Sequence, residues 1–303
     1  MSARPPGTDR PWTGRTTVLT FAEKRRSGEP IVMVTAYDHP TARLVDAAGV
    51  DAVLVGDSLA MAVLGHPNTL SVTMDEMLHH ARAVSRGARR ALLVGDLPFM
   101  SYQADAGDAV RNAGRFLAEA GMDAVKLEGG RAFAATVRAI VRAGIPVQGH
   151  VGLRPQSLNA LGGFKVQART AEAARELLED ALALEDAGCF SIVLEGVPER
   201  VAGHVTERLR IPTIGIGAGR STSGQVLVLA DILGLQEQVQ PRFVKRYASL
   251  AEAGRAAVAT FRDDVQARRF PAAEHRYDLP DEEWDAYLGA VGDSFPSATL
   301  HEA

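Results

Sequence analysis

The chain has 303 residues, 46% of them hydrophobic and 23% charged, with a formal net charge of −4 and one cysteine. This composition supplies enough apolar material for a large core, and the lone Cys189 excludes an internal disulfide and any CxxC zinc or redox motif, which makes the cytosol the default compartment. The mild acidity argues against a nucleic-acid partner, and Asp57, Asp96 and Asp231 interrupt the apolar runs before any reaches the roughly 18–20 residues of a membrane helix.

Residues 1–15 carry Arg4, Arg10 and Arg15 against Asp9 alone, and prolines at 5, 6 and 11 spoil the amphipathic helix of a transit peptide. The segment reads as a short disordered leader. Residues 16–28 read as a helix suited to closing the bottom of a barrel. Apolar, β-branched runs then alternate with amphipathic stretches. The runs cover 31–37, 52–57, 91–97, 124–128, 146–152, 191–195, 212–217 and 225–230, each nearly continuous in apolar character, as strands buried on both faces of a parallel sheet are. Helical patterns over 74–86, 104–120, 131–143 and 170–187 lie between them. Ala48-Gly49, Ala120-Gly121, Ala143-Gly144 and Ala187-Gly188 place glycine where a helix ends and the next strand begins. Eight strands with intervening helices predict an α/β fold of the (β/α)8 barrel type, with an open doubly wound sheet as the alternative. The link from 219 to 224 is too short for a helix, so either one crossover is degenerate or the eighth strand lies elsewhere. A further helical pattern spans 245–268, and beyond Phe270 the chain turns acidic and Pro-containing. The expected division is a leader over 1–15, a barrel over 16–277 and a peripheral acidic tail over 278–303.

Ionisable residues gather at the ends of five successive strands: Gly56-Asp57-Ser58, Gly95-Asp96, Lys126-Leu127-Glu128, Gly149-His150 and Glu195-Gly196. In a barrel these ends converge on one mouth, where active sites are built. One polar residue at a strand end is usually a turn or a cap; five in succession are hard to explain as packing. Asp57, Asp96 and Glu128 form a set of oxygen donors without clustered His or Cys, which favours Mg²⁺ over zinc. Without a cation they would repel one another, unless Lys126 and nearby arginines neutralise them structurally. His79 and His80 are adjacent on a helix and splay about 100° apart, which suits packing better than chelation. His150 alone among the histidines has strand-end placement. The glycine-rich stretch 215–219 fits backbone crowding at the mouth as well as it fits phosphate binding. Cys189 reads as an inert core residue.

The motifs Val34-Thr35-Ala36-Tyr37-Asp38, Gly56-Asp57-Ser58-Leu59, Leu64-Gly65-His66, Thr69-Leu70-Ser71-Val72-Thr73-Met74, Gly95-Asp96-Leu97-Pro98-Phe99, Val125-Lys126-Leu127-Glu128-Gly129, Gly149-His150-Val151-Gly152-Leu153 with Pro155-Gln156, and Ile214-Gly215-Ile216-Gly217-Ala218-Gly219 occur in order. Together they resemble the ketopantoate hydroxymethyltransferase family over about residues 17–277. The resemblance implies a (β/α)8 enzyme with one Mg²⁺ per subunit in the first committed step of pantothenate synthesis. It would move a hydroxymethyl unit from 5,10-methylenetetrahydrofolate to 3-methyl-2-oxobutanoate, giving 2-dehydropantoate. By similarity, Asp57 and Asp96 bind the metal beside the substrate and Glu128 completes the metal site. Ser58 and Lys126 hold the substrate carboxylate and keto oxygen, and Glu195 is the general base. His150 is a substrate-binding candidate, either orienting the base or touching the substrate. A symmetric homo-oligomer, a decamer, is also implied. Ala60 stands where the family usually has glycine, a change that removes no chemical group.

Elementary chemistry fits this picture. A carbanion beside a ketone needs its charge met at the keto oxygen by a cation, and a base reaching the C–H from another side. Three rivals remain: a metal-dependent lyase or aldolase of the phosphoenolpyruvate mutase/isocitrate lyase type, a Schiff-base aldolase using Lys126, and a barrel without catalysis. Neither the folate pocket nor the group assisting water addition can be read from the sequence.

Overall fold

The computed structural model describes residues 14–236 and 241–291. The leader, apart from residues 14 and 15, and the last twelve residues of the acidic tail lie outside the described residues. The first compact unit, Met1–Ser249, opens with α1 (Val18–Ser27), β1 (Ile31–Thr35), α2 (His39–Ala47), β2 (Ala52–Val55), α3 (Leu59–Ala62), α4 (Met74–Gly87) and β3 (Leu92–Asp96). It continues through α5 (Ala106–Ala120), β4 (Ala124–Glu128), α6 (Ala134–Arg142), β5 (Val147–Gly152), α7 (Leu158–Leu161) and α8 (Ala171–Ala187). It ends with β6 (Ser191–Glu195), α9 (Glu199–Arg208), β7 (Thr213–Ile216), β8 (Gly224–Leu227) and α10 (Leu229–Leu233). The second unit, Leu250–Ala303, contains α11 (Leu250–Gln266) and α12 (Asp281–Val291).

The eight strands close into a parallel barrel in sequence order, as predicted, and β8 pairs with β1. The open-sheet alternative is thereby excluded. The crossover between β7 and β8 is the degenerate one, a loop without a helix. Gly224 makes the closing seam possible: a Cβ there would lie 2.3 Å from Ile31 O. The predicted helix 131–143 starts with a 3-10 turn, Arg131–Phe133, before α6. Side chains explain the helix starts. Thr73 and Glu76 form a reciprocal capping box at α4, and Asp105 and Thr170 cap α5 and α8. The four glycines expected at helix ends, 49, 121, 144 and 188, all have positive φ, a backbone state that glycine adopts without a Cβ penalty.

Strand residues alternate between two cores. Val53, Val55, Leu93, Val125, Leu127, Ile192 and Leu194 pack with Met77, Leu78, Phe116 and Leu184 in the core that includes the helices. Ile31, Met33, Ala52, Leu54, Leu92, Val94, Ala124, Val193, Ile214 and Val226 form the second core, together with Phe21 of α1. This fully buried phenylalanine fulfils the expected plugging role of α1; burying such a side chain is worth roughly 1.5–3 kcal/mol. The same alternation carries polar residues inward. On β3, Leu92 and Val94 lead to Asp96; on β4, Ala124 leads to Lys126 and Glu128; on β6, Val193 leads to Glu195.

Candidate active site

The register brings the inward polar residues side by side. Asp96 pairs with Lys126, Glu128 with His150, and Gly152 with Glu195. Gly152 has φ +97°, and a Cβ there would come within 2.3 Å of Glu195 O, so only glycine lets the ends of β5 and β6 approach. Asp57 lies just beyond β2, and its backbone N–H donates to Asp96 Oδ2 at 3.1 Å. Lys126 Nζ lies 2.8 Å from the same oxygen. Asp57, Asp96, Lys126, Glu128 and His150 are all buried. The structure therefore brings Asp57, Asp96, Lys126, Glu128, His150 and Glu195 into one cluster. Ser58 adjoins it and is hydrogen-bonded to Tyr37 Oη at 2.8 Å.

Electrostatics divide these groups. Burial opposes the charge on Lys126, but Asp96, Asp57 and Glu128 outweigh it and hold the ammonium above its ordinary value. Burial, with Asp57 adding repulsion and Lys126 opposing, pushes Asp96 up to about 7. Burial and then Asp57 push Glu128 well above the carboxylate range. Three carboxylates against one ammonium leave an excess of two negative charges when all are ionised. Asp96 Oδ1 and Glu128 Oε1 are buried without a hydrogen-bond partner, an arrangement costly unless another cation or donor meets them. Among the described residues no three His, Cys, Asp or Glu side chains are grouped to hold a metal as they stand; Lys126 instead meets Asp96. The donors are nonetheless all oxygen, the set a hard divalent cation prefers.

His150 is held well below its ordinary value by burial and then by Lys126, so the ring is neutral. Its Nδ1 lies 3.5 Å from Lys126 Nζ. Nδ1 is also 3.7 Å from Glu128 Oε1, and Nε2 stands 3.2 Å from Glu195 Oε2, off the line of a hydrogen bond. Burial pushes Glu195 up to about 7, with Lys126 opposing. Its side chain is 17% exposed, against 1–5% for Asp96, Lys126, Glu128 and His150. Glu195 is thus a carboxylate poised near neutrality at the more open side of the cluster.

Two residues without a role in the sequence reading join the cluster, Tyr102 and Gln156, the second of them inside a quoted motif. Tyr102, on the loop after β3, stacks edge-on against Phe133, and its Oη accepts from Glu128 N at 3.1 Å. Gln156, on the turn after β5, donates to Asp57 Oδ2 at 2.9 Å. Neither is an ionisable strand-end residue, which is the pattern the search used. The remaining candidates have structural explanations. A Cβ at Gly217 or Gly219 would strike Phe243 or Glu199 at 2.8 and 2.4 Å, so the glycine-rich stretch serves packing. His80 Nδ1 bonds Tyr37 O at 2.6 Å. Cys189 is buried and its thiol is pushed up to about 12, as an inert core residue should be.

Similarity to known proteins agrees with this geometry. Solved structures share the fold at low identity. Phosphonopyruvate hydrolase in complex with oxalate and Mg²⁺ matches with a TM-score of 0.55 and 16% identity over 91% of this chain and 98% of that one. A 2,3-dimethylmalate lyase of the phosphoenolpyruvate mutase/isocitrate lyase superfamily matches with a TM-score of 0.54 and 18% identity over 91% and 99%. In sequence, the 3-methyl-2-oxobutanoate hydroxymethyltransferase of Oleidesulfovibrio alaskensis is 54% identical over 92% of this chain and 98% of its own. The enzyme of that name from Syntrophobacter fumaroxidans is 58% identical over 86% and 92%. The family model for ketopantoate hydroxymethyltransferase matches residues 15–273, a span that takes in every strand and every clustered side chain described above, and the chain belongs to that family.

Proposed function

We propose that the chain transfers a hydroxymethyl group from 5,10-methylenetetrahydrofolate to 3-methyl-2-oxobutanoate, giving 2-dehydropantoate in pantothenate synthesis. The observation that carries this reading is Glu195, a carboxylate near neutrality opposite a buried carboxylate–lysine cluster. Asp57 and Asp96 would hold Mg²⁺, with Glu128 completing the site; the unpartnered oxygens of Asp96 and Glu128 and the excess of two negative charges support a divalent ion. When bound, that ion supplies Lewis-acid polarisation of the keto oxygen of the 2-oxo acid. Lys126, held protonated, adds positive charge where the enolate oxygen develops. Ser58 would donate to the substrate carboxylate. Glu195 takes the C3 proton, its elevated pKa matching a base that works near pH 7. The neutral His150, with Nε2 3.2 Å from Glu195 Oε2, would steady Glu195 from one side. Both carbon–nitrogen bonds of the folate methylene break: one gives way to the new bond from C3 and the other to the oxygen of water, and the protons lost by C3 and by water end on the two nitrogens of the released tetrahydrofolate. Phe99 and Met100 after β3, with Phe164 after β5, are exposed apolar side chains on mouth loops that suit a flat ring system.

The elevated Lys126 argues against a Schiff-base role, which needs the free amine. The decisive experiment follows exchange of the C3 proton of 3-methyl-2-oxobutanoate with deuterated water by NMR. Exchange should need Mg²⁺, and Glu195→Gln should abolish it while leaving Mg²⁺ binding intact. Undiminished exchange in that variant would sink the base assignment, and borohydride trapping of substrate on Lys126 would favour the Schiff-base aldolase. A homo-oligomer, a decamer by family resemblance, is the proposed assembly. The cytoplasm is the proposed compartment, in keeping with a single buried thiol; among the described residues no helix is long and apolar enough to cross a membrane.

A further inference from the structure

An uncharged residue makes the densest polar contacts at the mouth. Gln156 lies in the 3-10 turn Pro155–Ser157 and is buried. Its Nε2 donates to Asp57 Oδ2 and to Leu97 O, both at 2.9 Å. Its Oε1 accepts from Gln103 Nε2 at 3.0 Å and stands 2.9 Å from Tyr102 Oη. Its backbone N–H donates to Glu128 Oε2 at 3.0 Å. A primary amide offers two donor hydrogens and two acceptor lone pairs, and all four are engaged. Turning the amide over would face its oxygen to a carboxylate and a carbonyl, so its partners determine one orientation. Tyr102 closes the network onto β4: its Oη accepts from Glu128 N and shares its one proton between Gln156 Oε1 and Glu128 O, the latter at 3.0 Å.

We propose that Gln156 is a positioning residue for the divalent cation: its side-chain amide grips one oxygen of Asp57, its backbone N–H grips one oxygen of Glu128, and the other oxygen of each carboxylate is left for the ion. The proposal rests on the reading above that these carboxylates bind Mg²⁺. The residue type follows from charge. Two buried carboxylates with nothing between them would rotate apart or take up protons. A lysine or arginine at 156 would hold Asp57 but supply the positive charge the ion is to bring. A glutamate would add a fourth negative group. A neutral amide orients Asp57 without competing for its charge and, through Leu97 O, anchors the turn whose backbone N–H holds Glu128; outer partners of this kind set ligand geometry in metal sites.

Isothermal calorimetry of Mg²⁺ binding to the full chain, without substrate, tests this in the parent and in Gln156→Met, Tyr102→Phe and Asp57→Asn. Gln156→Met should weaken binding about 10–100-fold, the range for lost outer partners. Tyr102→Phe, which keeps the ring but removes the hydroxyl shared by Gln156 Oε1 and the Glu128 backbone, should weaken it by a smaller factor. Asp57→Asn should abolish it. Parent affinity in both Gln156→Met and Tyr102→Phe, with binding lost in Asp57→Asn, would overturn the role of Gln156 and leave the metal site standing. No binding in the parent, or undiminished binding in Asp57→Asn, would overturn the metal site and this proposal together. If Gln156→Met does not fold, Gln156→Asn, which keeps the amide but is one methylene too short to reach Asp57 Oδ2, decides by the same criterion. A purely structural contact would lower the melting temperature while the Mg²⁺ constant of the folded protein stayed unchanged.

Discussion

Glu195, the proposed base, is a carboxylate whose poising inside the barrel carries a cost. Its pKa rises from 4.5 to about 7, chiefly through burial, so the folded state binds the proton more tightly than the unfolded chain does. The sign follows directly: its contribution to stability is complete below about pH 4.5, declines as the unfolded carboxyl ionises, and is fully lost above about pH 7. At 1.36 kcal/mol per pKa unit the ionised side chain costs about 3 kcal/mol at pH 8. Glutamine keeps the shape and carries no charge. Glu195→Gln should therefore be inactive yet more stable than the parent, by about 3 kcal/mol in chemical denaturation at pH 8 and by less than about 1 kcal/mol at pH 5. Equal stability at pH 8 would remove burial as the cause of the shift. In the parent, C3 proton exchange should rise with pH up to about 7 and then level off, because only the ionised carboxylate accepts the proton.

Among the elements, the strands were the most legible in sequence, and their ends the least. The runs at 124–128 and 191–195 match β4 and β6 to the residue, whereas the run at 52–57 overshoots β2, which ends at Val55. Apolar character continues as long as a segment is buried, but a strand ends where pairing ends, and pairing depends on the neighbour. The inward direction of Asp96, Lys126, Glu128 and Glu195 was only partly readable. Both strand faces are apolar, so only the spacing of Lys126 and Glu128 on one strand revealed a shared face. Gln156 and Tyr102 were out of reach because their importance comes from turns that fold back over the mouth from the loops after β5 and β3. The loop after β3 also strains its backbone: Met100 has φ +65°, a conformation costing a non-glycine residue about 1–3 kcal/mol and frequent at functional sites. Ser101 N and Oγ hold this bend by donating to Pro98 O at 3.1 and 2.7 Å, and Asn112 Nδ2 grips Ser101 O at 2.7 Å. The bend presents Phe99 outward, 38% exposed. If this rim receives the folate ring, Phe99→Ala should raise the KM for methylenetetrahydrofolate several-fold. Folate-independent C3 exchange and the melting temperature should stay near the parent's, since exposed positions contribute little to stability. An unchanged folate KM would remove Phe99 from that surface.

At the scale of the whole molecule, the net charge of −4 misrepresents the barrel. Residues 271–303 hold eight acidic side chains against Arg276 alone, so the first 270 residues sum to +3. A slightly basic body with carboxylates concentrated at its mouth suits one divalent cation and anionic substrates. The second unit poses a separate question of burial. Along α11, Leu250, Val258, Phe261 and Val265 recur at helical spacing on one face, and all are exposed. Phe261 meets Phe270 within the same unit, but Val258 stands 68% exposed. Water does not favour such a stripe, and if the chain assembles as the proposed homo-oligomer, a second copy is the partner that would cover it. In a monomer, Val258→Asp would be an exposed substitution worth within about 0.5 kcal/mol. In an oligomer sealed by this face, it would bury an unpaired carboxylate at every copy of the interface. Light scattering after size exclusion should therefore give a mass well above one 32.3 kDa subunit for the parent, ten-fold if the family's decamer holds, and a smaller mass for Val258→Asp. An unchanged mass in the variant would show that α11 does not seal the assembly, and a monomeric parent would remove the oligomer altogether.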